Sequence, residues 1–189
     1  MDFAYNDEQK EIIKVVRDLV EKEIVPYASE MDETGKLHEG LLEKLAAQGL
    51  LGVAIPEEFG GAGLDAITIA AIYEELGKGC AGVATTVAAN ALASYPVIIA
   101  GNDDQKKRYF DIINEDNLAA FALTEPGTGS DAGSVSTRAM KTEDGKGYIL
   151  NGTKCFITNG ALAEVFVVFA NTRKSGGIRG LTAFIVRKG

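Results

Sequence analysis

Residues 121–133, Phe-Ala-Leu-Thr-Glu-Pro-Gly-Thr-Gly-Ser-Asp-Ala-Gly, hold the side chains of this 189-residue chain best suited to chemistry. A short apolar run ends at Thr124-Glu125-Pro126, and small residues follow. Gly127 and Gly129 lack the side chains that would keep a ligand away from the backbone. Thr124, Thr128 and Ser130 add uncharged hydroxyls, which can donate or accept hydrogen bonds. Successive N–H groups in such a turn make a concavity suited to phosphate oxygens. The loop is therefore a candidate cradle for a phosphorylated cofactor, although on composition alone the commoner reading is a turn between strands. It has no Gly-Lys-Ser/Thr ending, so it is not a nucleotide-triphosphate P-loop. It also lacks the G-x-G-x-x-G of a Rossmann fingerprint.

A second segment, residues 151–160 (Asn-Gly-Thr-Lys-Cys-Phe-Ile-Thr-Asn-Gly), reads as a strand bounded by Asn-Gly pairs. Alternation along it puts Cys155, Ile157 and Asn159 on one face and Phe156 and Thr158 on the other. An aromatic and a hydroxyl on one face suit a flat heteroaromatic ring: the first packs on it, the second hydrogen-bonds its nitrogen.

Other chemistries find little support. His38 is the sole histidine and reads as a surface residue near a helix start, which disfavours His-based triads and metal sites. Cys80 and Cys155 are isolated and read as reduced thiols. The net charge of −8 argues against nucleic-acid and anionic-membrane partners. No apolar run is expected to reach the length of a membrane span. The acidic amphipathic start does not resemble a signal peptide, so the expected location is cytoplasmic.

The elements that must position these residues fall into two halves. Ile12, Ile13, Val16, Leu19, Val20 and Ile24 recur at helical spacing, so a helix is expected from Asn6 to about Met31, kinked or ended at Pro26. Further helices are expected over about 39–48, 65–78, 81–100 and 103–114, with a glycine-rich loop at 55–64. The 81–100 segment is small and apolar nearly all round, which predicts a buried central helix bent at Pro96. Strands are expected over about 118–124, 134–142, 147–151, 153–158, 164–171 and 181–187. Hairpin turns are expected at Glu143-Asp144-Gly145 and Asn151-Gly152, and an exposed loop at residues 173–177. The fold class is thus α+β: a helical bundle domain over 1–117, then an incomplete antiparallel β-domain over 118–189.

Taken in order, several motifs resemble the acyl-CoA dehydrogenase family. They are Asp7-Glu8-Gln9, residues 55–63 (Ile-Pro-Glu-Glu-Phe-Gly-Gly-Ala-Gly), Glu74-Glu75-Leu76 and residues 100–107 (Ala-Gly-Asn-Asp-Asp-Gln-Lys-Lys). The Thr-Glu-Pro-Gly loop and the Phe-Ile-Thr-Asn-Gly segment complete the series, and the match covers essentially the whole chain. Two departures stand out: Thr128, where the family usually has Gly, Ala, Ser or Asn, and Phe156, where many members have Trp.

The resemblance implies FAD as cofactor and an acyl-CoA substrate of short or medium chain. The chemistry is removal of the α-proton by a carboxylate and transfer of the β-hydride to flavin N5. It implies cofactor contacts from Phe121, Leu123, Thr124, Gly129, Ser130, Phe156 and Thr158, with Thr158 near N5 and Ser130 also touching the CoA arm. Thr85, Ala88 and Leu92 would line the acyl chain, although close helix packing is the commoner use of such small residues. The family's catalytic glutamate sits in a C-terminal helical domain beyond residue 189, so no catalytic base and no metal ligand is assigned here. Glu125 instead reads as an acceptor of loop N–H groups. An electron-transferring flavoprotein is the implied redox partner, docking at Leu50, Leu64 and Ile72, for which core burial is the competing reading. The complete protein is expected to be a homo-oligomer, and Gly189 reads as a cut inside the β-domain. Two other readings remain at this point: a flavin oxidase or monooxygenase of the same fold, and a non-catalytic helical binding module.

Overall fold

The computed structural model describes residues 4–173 and 176–189. Helix α1 (Asp7–Leu19) starts at Asn6. The Asn6 side chain accepts the Gln9 N–H, and the Gln9 side chain accepts that of Asn6. The helix does not run on to Met31. A single π turn covers Val20–Ile24, a 3-10 turn covers Val25–Tyr27, and α2 (Ala28–Thr34) resumes. Pro26 has no N–H to continue an α ladder. The widened turn also lays Val20 and Ile24 against Gly79, where a Cβ would stand 2.5 Å from Val20 Cγ1.

The remaining helices are α3 (Leu41–Ala47), α4 (Ala66–Gly79), α5 (Ala81–Ala100) and α6 (Asp103–Ile113), close to expectation. Asp65 caps α4 by accepting from the Ile67 and Thr68 N–H groups. Ile24, Leu45, Leu76 and Val87 are fully buried in the first core, and each such side chain contributes roughly 1.5–3 kcal/mol.

Helix α5 departs from expectation in two ways. It is buried over a broad arc that includes Val83, Val87, Ala89, Asn90, Ala93 and Val97, but it leaves a strip of Thr85, Leu92, Tyr95 and Ile99 exposed. By length and composition it is also long and apolar enough to cross a membrane; here it packs on α4 and on the sheet. The helix stays continuous through Pro96.

The sheet contains β1 (Ala119–Ala122), β2 (Arg138–Lys141), β3 (Tyr148–Asn151), β4 (Val165–Asn171) and β5 (Leu181–Arg187). The expected antiparallel pairing holds for β2–β3 and for β4–β5 along its whole length. Strand β1, however, pairs parallel with β4, from Ala119 opposite Val165 to Ala122 opposite Val168, and β2 meets β4 parallel at Arg138 opposite Asn171. The sheet is therefore mixed.

A second core cluster joins the sheet to the helices: Val97, Tyr109 and Phe110 pack with Val165 and Val167. Buried Asn90 of α5 bolts the junction, its Oδ1 accepting from Ala119 N at 2.7 Å.

The expected strand at 153–158 is not formed, and no hairpin closes at Asn151-Gly152. Phe156 (φ +55°) and Asn159 (φ +63°) occupy the left-handed region, which breaks an extended ladder. Gly145 (φ +70°) turns the β2–β3 hairpin as expected. Of the expected loop at 173–177, Lys174 and Ser175 lie outside the described residues.

Candidate cofactor site

The site grows from the end of β1. Beyond Ala122 the chain turns through Thr124-Glu125-Pro126-Gly127-Thr128, closed by paired backbone hydrogen bonds between Glu125 and Thr128, each 3.0 Å. Glu125 is the internal post of this turn. Its buried carboxylate accepts the N–H groups of Ser136 (2.7 Å) and Thr137 (3.0 Å), both their hydroxyls, and the Lys154 ammonium at 2.8 Å. Burial works to raise this carboxyl's pKa. The bonds from Lys154, Ser136 and Thr137 together outweigh it and hold the group well below the usual carboxylate range. A carboxylate so engaged is ionised and turned inward, as expected of a loop acceptor and contrary to the needs of a base.

Hydroxyls divide cleanly around this post. Thr128 is buried and donates to Ser134 O at 2.9 Å, while Ser134, Ser136 and Thr137 bond to carboxylates. Thr128 is thus a loop staple, its hydroxyl spent within the chain. Thr124, Ser130 and Thr158, among the described residues, have hydroxyls without a partner in the chain. The N–H groups of Gly129 and Ser130 are likewise free.

Gly127 and Gly129 make the same point differently. Neither has a positive φ, and a Cβ built on either meets nothing within 4 Å. No packing or backbone constraint within the chain requires glycine there. A ligand pressed against this backbone would require it.

The second segment arrives through Lys154, whose Nζ donates to Leu123 O at 2.9 Å, and Cys155, whose N–H bonds Thr124 O at 3.0 Å. Although it is no strand, the expected alternation survives: Cys155, Ile157 and Asn159 are half-buried, while Phe156 and Thr158 face outward. Phe156 is 94% exposed, an aromatic ring without cover from the chain. Asn159 closes the segment, its Nδ2 donating to Thr86 O (3.0 Å) and Ala119 O (3.1 Å). Lys154 and Asn159 were not singled out from the sequence; an amphipathic lysine and an Asn-Gly pair carry no signal of which distant carbonyls they reach.

The Asn159 bond to Thr86 sets this segment against α5 at the turn that carries Thr85. Thr85, half-buried Ala88 and half-exposed Leu92 lie along the open face of that helix. Leu123 is half-buried. Phe121 packs 4.9 Å from Phe169 in the second cluster, so it serves the core as well as the cleft.

Leu50 and Ile72 are buried, and Leu64 is half-buried. All three nevertheless line an open apolar cleft of about 350 Å³ with exposed Val15 and half-buried Leu19. No group of acidic, histidine or cysteine residues able to hold a metal occurs among the described residues.

An uncovered aromatic, free hydroxyls and a glycine turn with open backbone donors are the groups that a ring-bearing, phosphorylated cofactor would need. Comparison with known proteins gives the family. Residues 6–115 match the acyl-CoA dehydrogenase N-terminal domain, and residues 120–189 match the acyl-CoA dehydrogenase middle domain. The chain belongs to the acyl-CoA dehydrogenase family.

It is 41% identical over 183 residues to an acyl-CoA dehydrogenase of Bacillus subtilis, covering 96% of this chain and 48% of that one. Among solved structures it is similar to butyryl-CoA dehydrogenase of Megasphaera elsdenii (TM-score 0.91, 40% identity, 100% of this chain and 50% of that one). It is similar also to an acyl-CoA dehydrogenase of Bacillus anthracis complexed with FAD (TM-score 0.85, 38%, covering 97% and 31%). A structure of the electron transferring flavoprotein of Acidaminococcus fermentans matches too (TM-score 0.92, 39%, covering 100% and 50%). The chain spans about half the length of the curated relatives it matches.

Proposed function

We propose that this chain supplies the N-terminal portion of an FAD-dependent acyl-CoA dehydrogenase acting on short- or medium-chain acyl-CoA thioesters. The observation that carries the reading is the pair Gly127 and Gly129, open and unconstrained, beside the free hydroxyls of Thr124, Ser130 and Thr158. These residues fit FAD: Gly129 and Ser130 would hold the pyrophosphate through backbone N–H groups and a hydroxyl. Phe156 and Leu123 would cover the ring, and Thr124 and Thr158 would hydrogen-bond its polar edge. Bound FAD would supply the two-electron acceptor for oxidation of the acyl chain. Thr85, Ala88 and Leu92 would hold that chain against α5. No carboxylate at the site is free to act as its base, since Glu125 is fully engaged, so the base is expected outside these 189 residues.

The apolar cleft at Leu50, Leu64 and Ile72 fits the docking of an electron-transferring flavoprotein, by insertion of an apolar side chain. Replacing Val15 at its lip by Asp is expected to slow reduction of that partner while leaving dye-linked turnover unchanged.

The activity is tested on the complete protein by anaerobic titration with butyryl-CoA and octanoyl-CoA. Bleaching of the flavin band is the expected outcome. A flavin that no acyl-CoA reduces would exclude the dehydrogenase.

A further inference from the structure

The segment Phe156-Ile157-Thr158 is a strap on which the Phe156 ring is 94% exposed and Thr158 is exposed. Ile157 is half-buried against the helical core, so the position of Phe156 and Thr158 depends heavily on how the strap is tied at its ends. At the far end Asn159 bonds the carbonyls of Thr86 and Ala119. At the near end stands Lys154, its side chain 12% exposed, donating to Leu123 O and to the Glu125 carboxylate. Cys155 N–H extends that tie to Thr124 O.

Both acceptors of Lys154 belong to the run that becomes the glycine cradle. Glu125 in turn gathers Ser136 and Thr137 from the start of β2. A single buried ion pair therefore connects the cradle, the approach to β2 and the strap. A cofactor whose phosphates lie on the cradle and whose ring lies on the strap spans both, and it feels any change in their spacing.

We propose that Lys154, paired with Glu125, is a positioning residue that sets the strap against the flavin ring, and so tunes flavin affinity and reduction potential without touching substrate. This rests on the reading that FAD occupies the site. Lys154 bonds Leu123 and Glu125, whereas the strap's hydrogen bond to α5 runs through Asn159, so its removal is expected to shift the ring contacts and spare the acyl contacts.

The test compares the complete enzyme with Lys154→Met and with Lys154→Met/Glu125→Gln. The double variant removes both charges, because a lone buried carboxylate can by itself prevent folding. The readouts are the FAD dissociation constant of the deflavinated protein, the flavin midpoint potential, and KM against kcat for acyl-CoA. Loss of charge-assisted hydrogen bonds predicts about tenfold or greater weakening of FAD binding. It also predicts a displaced potential and a lower kcat at unchanged KM, in whichever variant folds. A merely structural pair would lower the melting temperature and leave the potential where it was. A folded variant with wild-type FAD affinity and potential overturns the inference alone, whereas a wild-type enzyme that binds no FAD overturns the cofactor reading beneath it.

Discussion

Phe156 holds a backbone conformation that costs an L-residue with a bulky side chain about 1–2 kcal/mol, at a place where its ring gains no packing from the chain. Such a residue contributes to function more readily than to stability. Phe156→Gly is therefore expected to leave the unfolding free energy within about 1 kcal/mol of wild type while weakening flavin binding. Denaturant titration and flavin absorbance measure the two effects separately, and a large stability loss with intact flavin binding would reverse the assignment. Gly129 gives the complementary case. A side chain there meets only open space, so Gly129→Val is expected to melt like deflavinated wild type and to purify colourless. Retained yellow colour at full occupancy would remove the phosphate cradle.

Between elements, the tie that joins α1 to α4 is polar. Arg17 grips Glu75 with two bonds of 3.0 and 2.9 Å, and Lys78 adds a third at 2.7 Å. The Arg17 bond leads in lowering the Glu75 pKa, burial opposes it, Lys78 assists, and the group falls from 4.5 to about 2. A carboxyl depressed on folding contributes stability above its unfolded pKa and loses that contribution as pH falls through its folded value. The melting temperature is accordingly expected to fall below pH 4.5 and to steepen toward 2, and Glu75→Gln should flatten that limb. An unchanged acid limb in the variant would contradict the assignment.

Element scale is also where the sequence was most and least legible. Helices α3 to α6 fall close to where local sequence signals put them, and the structure adds the side-chain caps of Asp65 and Asn102. The outward set of the 156–158 segment was legible because alternation needs no partner strand. Its backbone was not: the chain turns left-handed at Phe156 and Asn159, and Asn159 bonds distant carbonyls on α5 and β1. Parallel pairing of β1 with β4 was equally hidden, because its register joins residues more than forty positions apart. The π turn packs against Gly79, far away in sequence, where a side chain would not fit. The glycine cradle was visible, but only the structure separates Thr128, which staples the loop, from Thr124 and Ser130, which remain free.

Over the whole molecule, charge is unevenly placed. Only five of the 27 acidic residues (Glu125, Asp131, Glu143, Asp144 and Glu164) follow residue 117, against nine of the 19 basic ones. The β half is thus net positive within a chain of net charge −8, a distribution that would steer polyphosphate ligands toward it. Raising ionic strength is expected to increase KM for acyl-CoA with little change in kcat; a KM indifferent to salt would exclude such steering. The strap is tied to α5 through Asn159 and to the cradle through Lys154, so the most direct test asks whether the flavin ring lies on it. These 189 residues contain no tryptophan, so Phe156→Trp places a reporter on the strap, read as the difference in tryptophan emission between the complete variant and its parent. Emission quenched on adding FAD to the deflavinated protein is the expected result, because the indole would lie on the flavin. Emission unchanged at saturating FAD would contradict it and place the cofactor elsewhere.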